Sequence, residues 1–264
     1  LHVALAGRAE PAAGSANHAE ALLAEAEVRR FVDDVAGVVE KMLSREAEVA
    51  PKAGFKGPVF TAELRSLAFT LLTRPAALTV DSVAIDGPLP NVAGSLVVNC
   101  GADADKVRRT LEKVLADVRA IEAWLQVGEF ERDGQKWQRF EGLPPGTPDV
   151  AWGFKDGLFL AAVGADGLQN LLARLADKDR KPPAWKTALE KRLPLERRSM
   201  LAHVDVAKVL EIAKTVIRDK DFAPAVTASG LDGLRAVQAI SGLTKTEMAS
   251  ATILDFDGEP TGLF

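Results

Sequence analysis

The sequence predicts an α+β fold, a mostly antiparallel sheet built of hairpins with helices packed on one face. Three observations carry that reading. Two apolar runs end in the same tripeptide and pass into helical patterns: Leu96–Cys100 into Gly101-Ala102-Asp103, and Phe159–Val163 into Gly164-Ala165-Asp166. Asp133-Gly134 and Asp156-Gly157 each stand between two strand-like runs, where Asp-Gly suits a hairpin turn whose central residues need positive φ. Between Ala19 and Leu43 the apolar residues recur at helical spacing.

In chain order, residues 1–6 read as a short strand, and Gly7 to Asn17 as a loop. The helix from Ala19 to Leu43 carries Leu22, Leu23, Val28, Phe31, Val32, Val35, Val38, Val39, Met42 and Leu43 on one stripe. Pro51, Gly54, Gly57 and Pro58 mark a loop, and Thr61 to Leu72 fits either a short helix or a strand. Strands follow at Ala77–Ile85 and Val92–Asn99, joined by a turn at Asp86-Gly87-Pro88. The first cassette helix, Asp103 to Ala120, presents Val107, Leu111, Val114, Leu115 and Val118. Two hairpins come next, Val127–Arg132 with Gln135–Glu141 and Val150–Phe154 with Leu158–Val163, before the second cassette helix at Asp166–Ala176. In both cassettes the Asp is expected to cap its helix by accepting from a first-turn N–H.

A Pro-containing charged stretch from Lys178 to Pro183 leads to a helix through Trp185, Leu189 and Leu193. After Pro194 the pattern restarts, with a strand at Met200–Val206, a helix at Ala207–Ile217 and strands at Leu234–Ile240 and Met248–Phe256. That order divides the chain into a first α+β unit over 1–180, a linking helix over 181–198 and a second unit over 199–264. The second unit reads as a shortened copy of the first, with Leu1-His2-Val3 matching Ala202-His203-Val204, residues from Ala77 matching those from Ala236, and Val92–Val98 matching Met248–Leu254. The alternative, two unrelated halves, stays open because identity between the copies is slight. The chain starts at Leu1 and stops at Phe264 inside an apolar run, so the expectation is of a sequence cut at both ends.

The 264 residues can bury a substantial core, and a hydrophobic fraction of 47% is that of a folded chain. A net charge of −4 with no basic stripe argues against nucleic acid as a partner. No apolar run approaches the roughly 20 residues of a membrane helix. The single cysteine, Cys100, allows no intramolecular disulfide and no cysteine metal cluster, and its place at the end of an apolar strand is that of a small hydrophobe.

Leu22-Leu23-Ala24-Glu25-Ala26-Glu27-Val28 and the closing Asp257-Gly258-Glu259-Pro260-Thr261-Gly262-Leu263 resemble recurring segments of an uncharacterised family of exported bacterial proteins. Those proteins often carry Leu-Leu-Ala-Glu-Pro-Glu-Val at the first place and Asp-Gly-Glu-Pro-Arg-Gly-Leu at the second. Ala26 stands for their Pro, and Thr261 for their Arg. The resemblance implies an α+β repeat fold and an extracytoplasmic address, periplasmic or secreted. It brings no catalytic residue.

The chemistry available is sparse. With three histidines in the chain, His203-Val204-Asp205 is the sharpest candidate for catalysis: alternate strand residues share a face, so Asp205 could orient His203 as a general base. Asp205 suits equally well an N-cap of the next helix, and no Gly-x-Ser-x-Gly turn accompanies the pair. No metal-ligand spacing and no phosphate loop occurs, so neither a metal nor a cofactor is expected. Trp137, Arg139 and Trp152 in neighbouring hairpins form a candidate interaction surface if they face solvent, and cross-strand packing if they do not. The leading expectation is a non-catalytic exported protein that binds a protein or envelope partner or acts as an envelope scaffold. The alternatives are a hydrolase whose site, including His203 and Asp205, is assembled from distant residues, and an intracellular partner-binding domain.

Overall fold

The computed structural model describes residues 1–7, 10–49, 67, 73–85, 90–121, 125–217 and 219–258. Among these are ten strands in one sheet. They are β1 (His2–Leu5), β2 (Ala76–Ala84), β3 (Asn91–Asn99), β4 (Gln126–Arg132), β5 (Gln135–Glu141), β6 (Val150–Lys155), β7 (Leu158–Val163), β8 (Arg197–Asp205), β9 (Leu234–Leu243) and β10 (Met248–Phe256). The helices are α1 (His18–Ala24), α2 (Ala26–Val49), α3 (Ala104–Ile121), α4 (Gly167–Ala176), α5 (Ala184–Arg192), α6 (Val206–Val216) and α7 (Phe222–Ala228). The sheet order is β10-β9-β8-β1-β2-β3-β7-β6-β5-β4, and every neighbouring pair is antiparallel. The α+β class and the hairpin-built sheet are therefore as the sequence predicts.

Both Asp-Gly turns form as expected. Asp133 and Gly134 have φ of 54° and 69°, Asp156 and Gly157 have 51° and 76°, and each pair connects strands in register. Here only residues that tolerate the left-handed region can stand, which is why the signal is specific.

The helices depart from expectation by occupying both faces. Phe159 and Leu160 are consecutive on β7 and so point to opposite sides. Phe159 packs with Val98, Trp152 and the α3 residues Val107 and Val114, whereas Leu160 packs with Trp137 and the α4 residues Leu168 and Leu171. A central sheet whose strands are apolar on both sides needs cover on both, and Leu96-Val97-Val98 and Phe159–Val163 are such runs. The face under α4 continues into the second half of the sheet, because Ala162, Ser95, Thr79, His2, His203 and Gln238 pair directly in one row. There α5 covers Leu201 and Ile240 with Leu189.

Two local expectations are corrected. Neither cassette Asp caps its helix. Residues Gly101–Asp103 form a 3₁₀ turn, and the Asp103 carboxylate instead pairs with the Arg74 guanidinium. Asp166 sits at φ −109°, ψ 12°, outside the extended region from which a side chain reaches back to cap, and makes no capping bond. The single stripe from Ala19 to Leu43 is two helices, broken where Glu25 turns extended (φ −62°, ψ 137°). Asn17 caps α1 by accepting from Glu20 N–H at 3.0 Å, and its amide donates to the carbonyls of Thr244 and Glu247, both at 2.8 Å. That residue fastens α1 to the β9–β10 turn. The segments 50–66 and 68–72, the turn at 86–89 and the closing residues 259–264 lie outside the described residues.

Candidate functional site

Two places gather chemistry. The first is the seam where β1 meets β8, joined by four residue pairs from His2↔His203 to Leu5↔Met200. The paired histidines share the face covered by α5, and Trp185 of that helix lies over both. Its ring stacks on His203 at 4.6 Å and 14°, and stands 6.0 Å from His2 at 53°. His2 Nδ1 lies 3.1 Å from the Thr79 hydroxyl. His203 Nδ1 is buried and has no hydrogen-bond partner, an arrangement that costs about 1–3 kcal/mol in a folded protein. Burial foremost, with the Lys186 ammonium second, lowers the pKa of His2. Burial also lowers that of His203, with Asp205 and Asp255 opposing.

The pairing of His203 with Asp205 does not form as a dyad. Asp205 occupies the N-cap of α6, where its Oδ1 accepts from Lys208 N–H at 3.0 Å. The cap wins because the helix leaves Lys208 N–H in need of an acceptor one turn away. Its carboxylate also faces the Lys208 ammonium at 3.8 Å. Among the described residues no three His, Cys, Asp or Glu side chains stand together as a metal cluster.

The second place is a cleft of about 630 Å³ at the end of the sheet where β1, β9 and the starts of β2, β8 and β10 converge beneath α1 and α2. Four arginines line it, Arg29, Arg74, Arg197 and Arg198, with Glu10 and Glu20. Leu23, Val32, Leu243 and Met248 give it an apolar wall. Each guanidinium is anchored by one acid: Arg29 to Glu10 at 2.7 Å, Arg197 to Glu20 at 2.6 Å, Arg198 to Glu190 and Arg74 to Asp103. Arg74 also donates to the Cys100 carbonyl at 3.2 Å. Glu20 is buried, and the Ser15 hydroxyl, the Ala12 N–H and Arg197 hold its carboxyl below the usual range. A guanidinium has five donors, so a single carboxylate leaves others for a ligand.

The tryptophan surface does not assemble. Trp137 is 1% exposed and Trp152 4% exposed, on opposite sides of the sheet. Trp137 N–H donates to the Arg132 carbonyl at 3.3 Å, and Trp152 N–H to Gln138 Oε1 at 2.9 Å. A Cβ at Gly153 would meet the Trp137 ring at 2.5 Å, so the glycine makes room for the indole. Of the three residues only Arg139 is exposed, lying over the Phe130 ring at 5.6 Å and paired with Glu141. Both indoles fill core, Trp137 against Leu160, Leu168 and Leu171 and Trp152 against Val98 and Phe159. Cys100 is fully buried, and burial pushes its thiol pKa up, as a packing role requires.

The cleft was not legible beforehand, because its arginines are spread from position 29 to position 198 and only the packing of α2 against the sheet end unites them. Compared with known proteins, the chain matches no family model, no curated protein and no solved structure.

Proposed function

We propose that this chain is a non-catalytic binding protein, exported from the cytoplasm, whose ligand is acidic and carries an apolar body. The observation that carries the reading is the cleft, where four guanidiniums rim a volume within the roughly 300–1,000 Å³ of ligand pockets and face an apolar wall. Guanidinium recognises carboxylate and phosphate through parallel N–H donors, and the wall matches a chain or ring attached to such a head. The engagement of Asp205 in the α6 cap favours binding over the hydrolase alternative.

Export rests on the resemblance of Leu22–Val28 to the family pattern. The backbone supports it at one point: Glu25 holds ψ 137°, the extended conformation of a residue that precedes proline, and the family has Pro at position 26. The same reading takes β1–β3 and β8–β10 as related units. The matched residues His2 and His203 pair with each other, and they pair in turn with the matched residues Thr79 and Gln238. On β3 and β10 the register is displaced two residues from the sequence match, with Ser95 opposite Thr79 and Ile253 opposite Gln238.

Calorimetric titration with decanoate tests the binding claim. Saturable one-to-one binding is expected, weakened about tenfold or more in Arg29→Ala, since a hydrogen bond to a charged group contributes about 1.5–3 kcal/mol. Arg29 pairs with the exposed Glu10, so its removal leaves the fold intact. Absence of saturable binding, or equal affinity for the variant, would contradict the proposal.

A further inference from the structure

The sheet ends in two edge strands, β4 and β10, and they differ in composition. On β4 the charges of Glu129, Glu131 and Arg132 are of the kind that keep an edge from pairing. β10 has nine residues, no Lys, Arg or Pro, and a single charge at Asp255. Among the described residues no second strand pairs with it. Its backbone phase follows from the hairpin. Thr244 N–H donates to the Glu247 carbonyl at 2.9 Å, so these two form a hydrogen-bonded pair, and such pairs recur at every second residue. Ala249, Ala251 and Ile253 therefore turn their N–H and C=O groups towards β9, and Ser250, Thr252 and Leu254 turn theirs outwards. The side chains of Met248, Ser250, Thr252 and Leu254 are exposed, whereas Ala251 and Ile253 pack against the core beneath α5.

We infer that β10 is a dimerisation edge, pairing antiparallel with β10 of a second copy of this chain and continuing the sheet across a two-fold axis. A two-fold interface needs a patch complementary to itself, and β10 is one. In the antiparallel register that overlaps all nine residues, Thr252 stands opposite its own copy, Ser250 opposite Leu254 and Ala251 opposite Ile253. Asp255 then faces Ala249, so no like charges meet. The phase agrees as well: Thr252 with Thr252 and Ser250 with Leu254 are pairs whose outward groups exchange N–H···O bonds in that register. The same construction on β4 sets Glu129 against Glu129, a like-charge pair that opposes association. The second copy is thus the occupant that β10 fits and β4 rejects. No arginine of the cleft takes part, and the inference stands or falls independently of the binding reading above.

The experiment is sedimentation velocity of the chain from about 1 to about 200 μM, joined to amide hydrogen exchange read residue by residue. The wild-type chain is expected to pass from one to two chain masses as concentration rises. Thr252→Lys leaves an exposed side chain in the single copy but sets two ammonium groups against each other at the axis. It is expected to weaken dimerisation about tenfold or more, and Glu129→Lys on the other edge to leave it unchanged. In the dimer the amides of Ser250, Thr252 and Leu254 are expected to be protected, and in Thr252→Lys to exchange fast. Those of Ala251 and Ile253, bonded to β9, stay protected in both. A single-chain mass at every concentration would overturn the inference, as would undiminished dimerisation in folded Thr252→Lys. Fast exchange of the outward amides in a wild-type dimer would overturn it too, and that result is decisive even if the variant fails to fold.

Discussion

At the scale of single residues, the histidine pair makes the clearest physical statement. Both rings have pKa values below the ordinary 6.5, so the folded chain binds fewer protons than the unfolded chain just under that pH. The sign follows directly: stability is undiminished above about pH 6.5 and falls as acid enters the window beneath it. Lys186 and Arg174 oppose protonation of His2, whereas Asp205 and Asp255 favour it at His203. Glu20 runs the other way. Its depressed pKa adds stability that is lost only as pH falls below the ordinary carboxylate value of 4.5, so the two effects separate on the pH axis. Urea unfolding midpoints measured at about pH 7.5 and about pH 5.5 are expected to drop on acidification, with a smaller drop in His203→Gln. An equal drop in that variant would assign the pH effect elsewhere. The sequence made His203 and Asp205 visible as neighbours on one strand face, but the helix that follows decides which acceptor role the carboxylate takes.

At the scale of elements, local rules were readable where backbone conformation restricts the residue. The Asp-Gly hairpins are such places, and so is the stripe of α3, whose Val107 and Val114 are buried as its spacing predicts. Reading failed where a distant partner intervened. Asp103 would cap a helix in isolation, but Arg74, which precedes β2, takes its carboxylate. The seven-residue α7 has Pro224 in its first turn and little apolar periodicity, so nothing in the pattern separated it from a loop. The break between α1 and α2 is a third case, since apolar spacing runs through it while Glu25 does not follow the helix. Position 26 opens α2 where a helix has no use for its N–H, and the residue before it is already extended. Ala26→Pro is therefore expected to raise unfolding stability by about 0.4–1 kcal/mol, chiefly by restricting the unfolded chain. Denaturant unfolding reads this directly, and a loss of stability would show that α1 and α2 form one continuous helix.

At the scale of the whole molecule, the order of strands matters more than any one element. The first and eighth strands lie side by side within the sheet, so Ala6 and Gly7 share one edge of the cleft with Arg197, Arg198 and Ser199 despite their distance in sequence. Charge then collects there: Arg197 and Arg198 come from the start of β8, Arg74 precedes β2, and Arg29 reaches in from α2. The apolar wall continues outward, since Leu23 and Val32 line the cleft while Leu22, Phe31, Val35 and Val38 are exposed on the same two helices. None of this was legible from periodicity, which reports which side of an element is apolar but not which elements meet. The fold class, the strands and the hairpins could be read. The faces of the sheet and the cleft could not, because both depend on pairing between residues tens to hundreds of positions apart.

The cleft is the centre of the functional account, and backbone amide spectra recorded during a decanoate titration test it most directly. The account predicts saturable shifts confined to the amides around Gly7, Arg198 and Gly242–Leu243, with the seam and the Asp-Gly hairpins unmoved. Shifts centred on another surface, or none at saturating ligand, would contradict it.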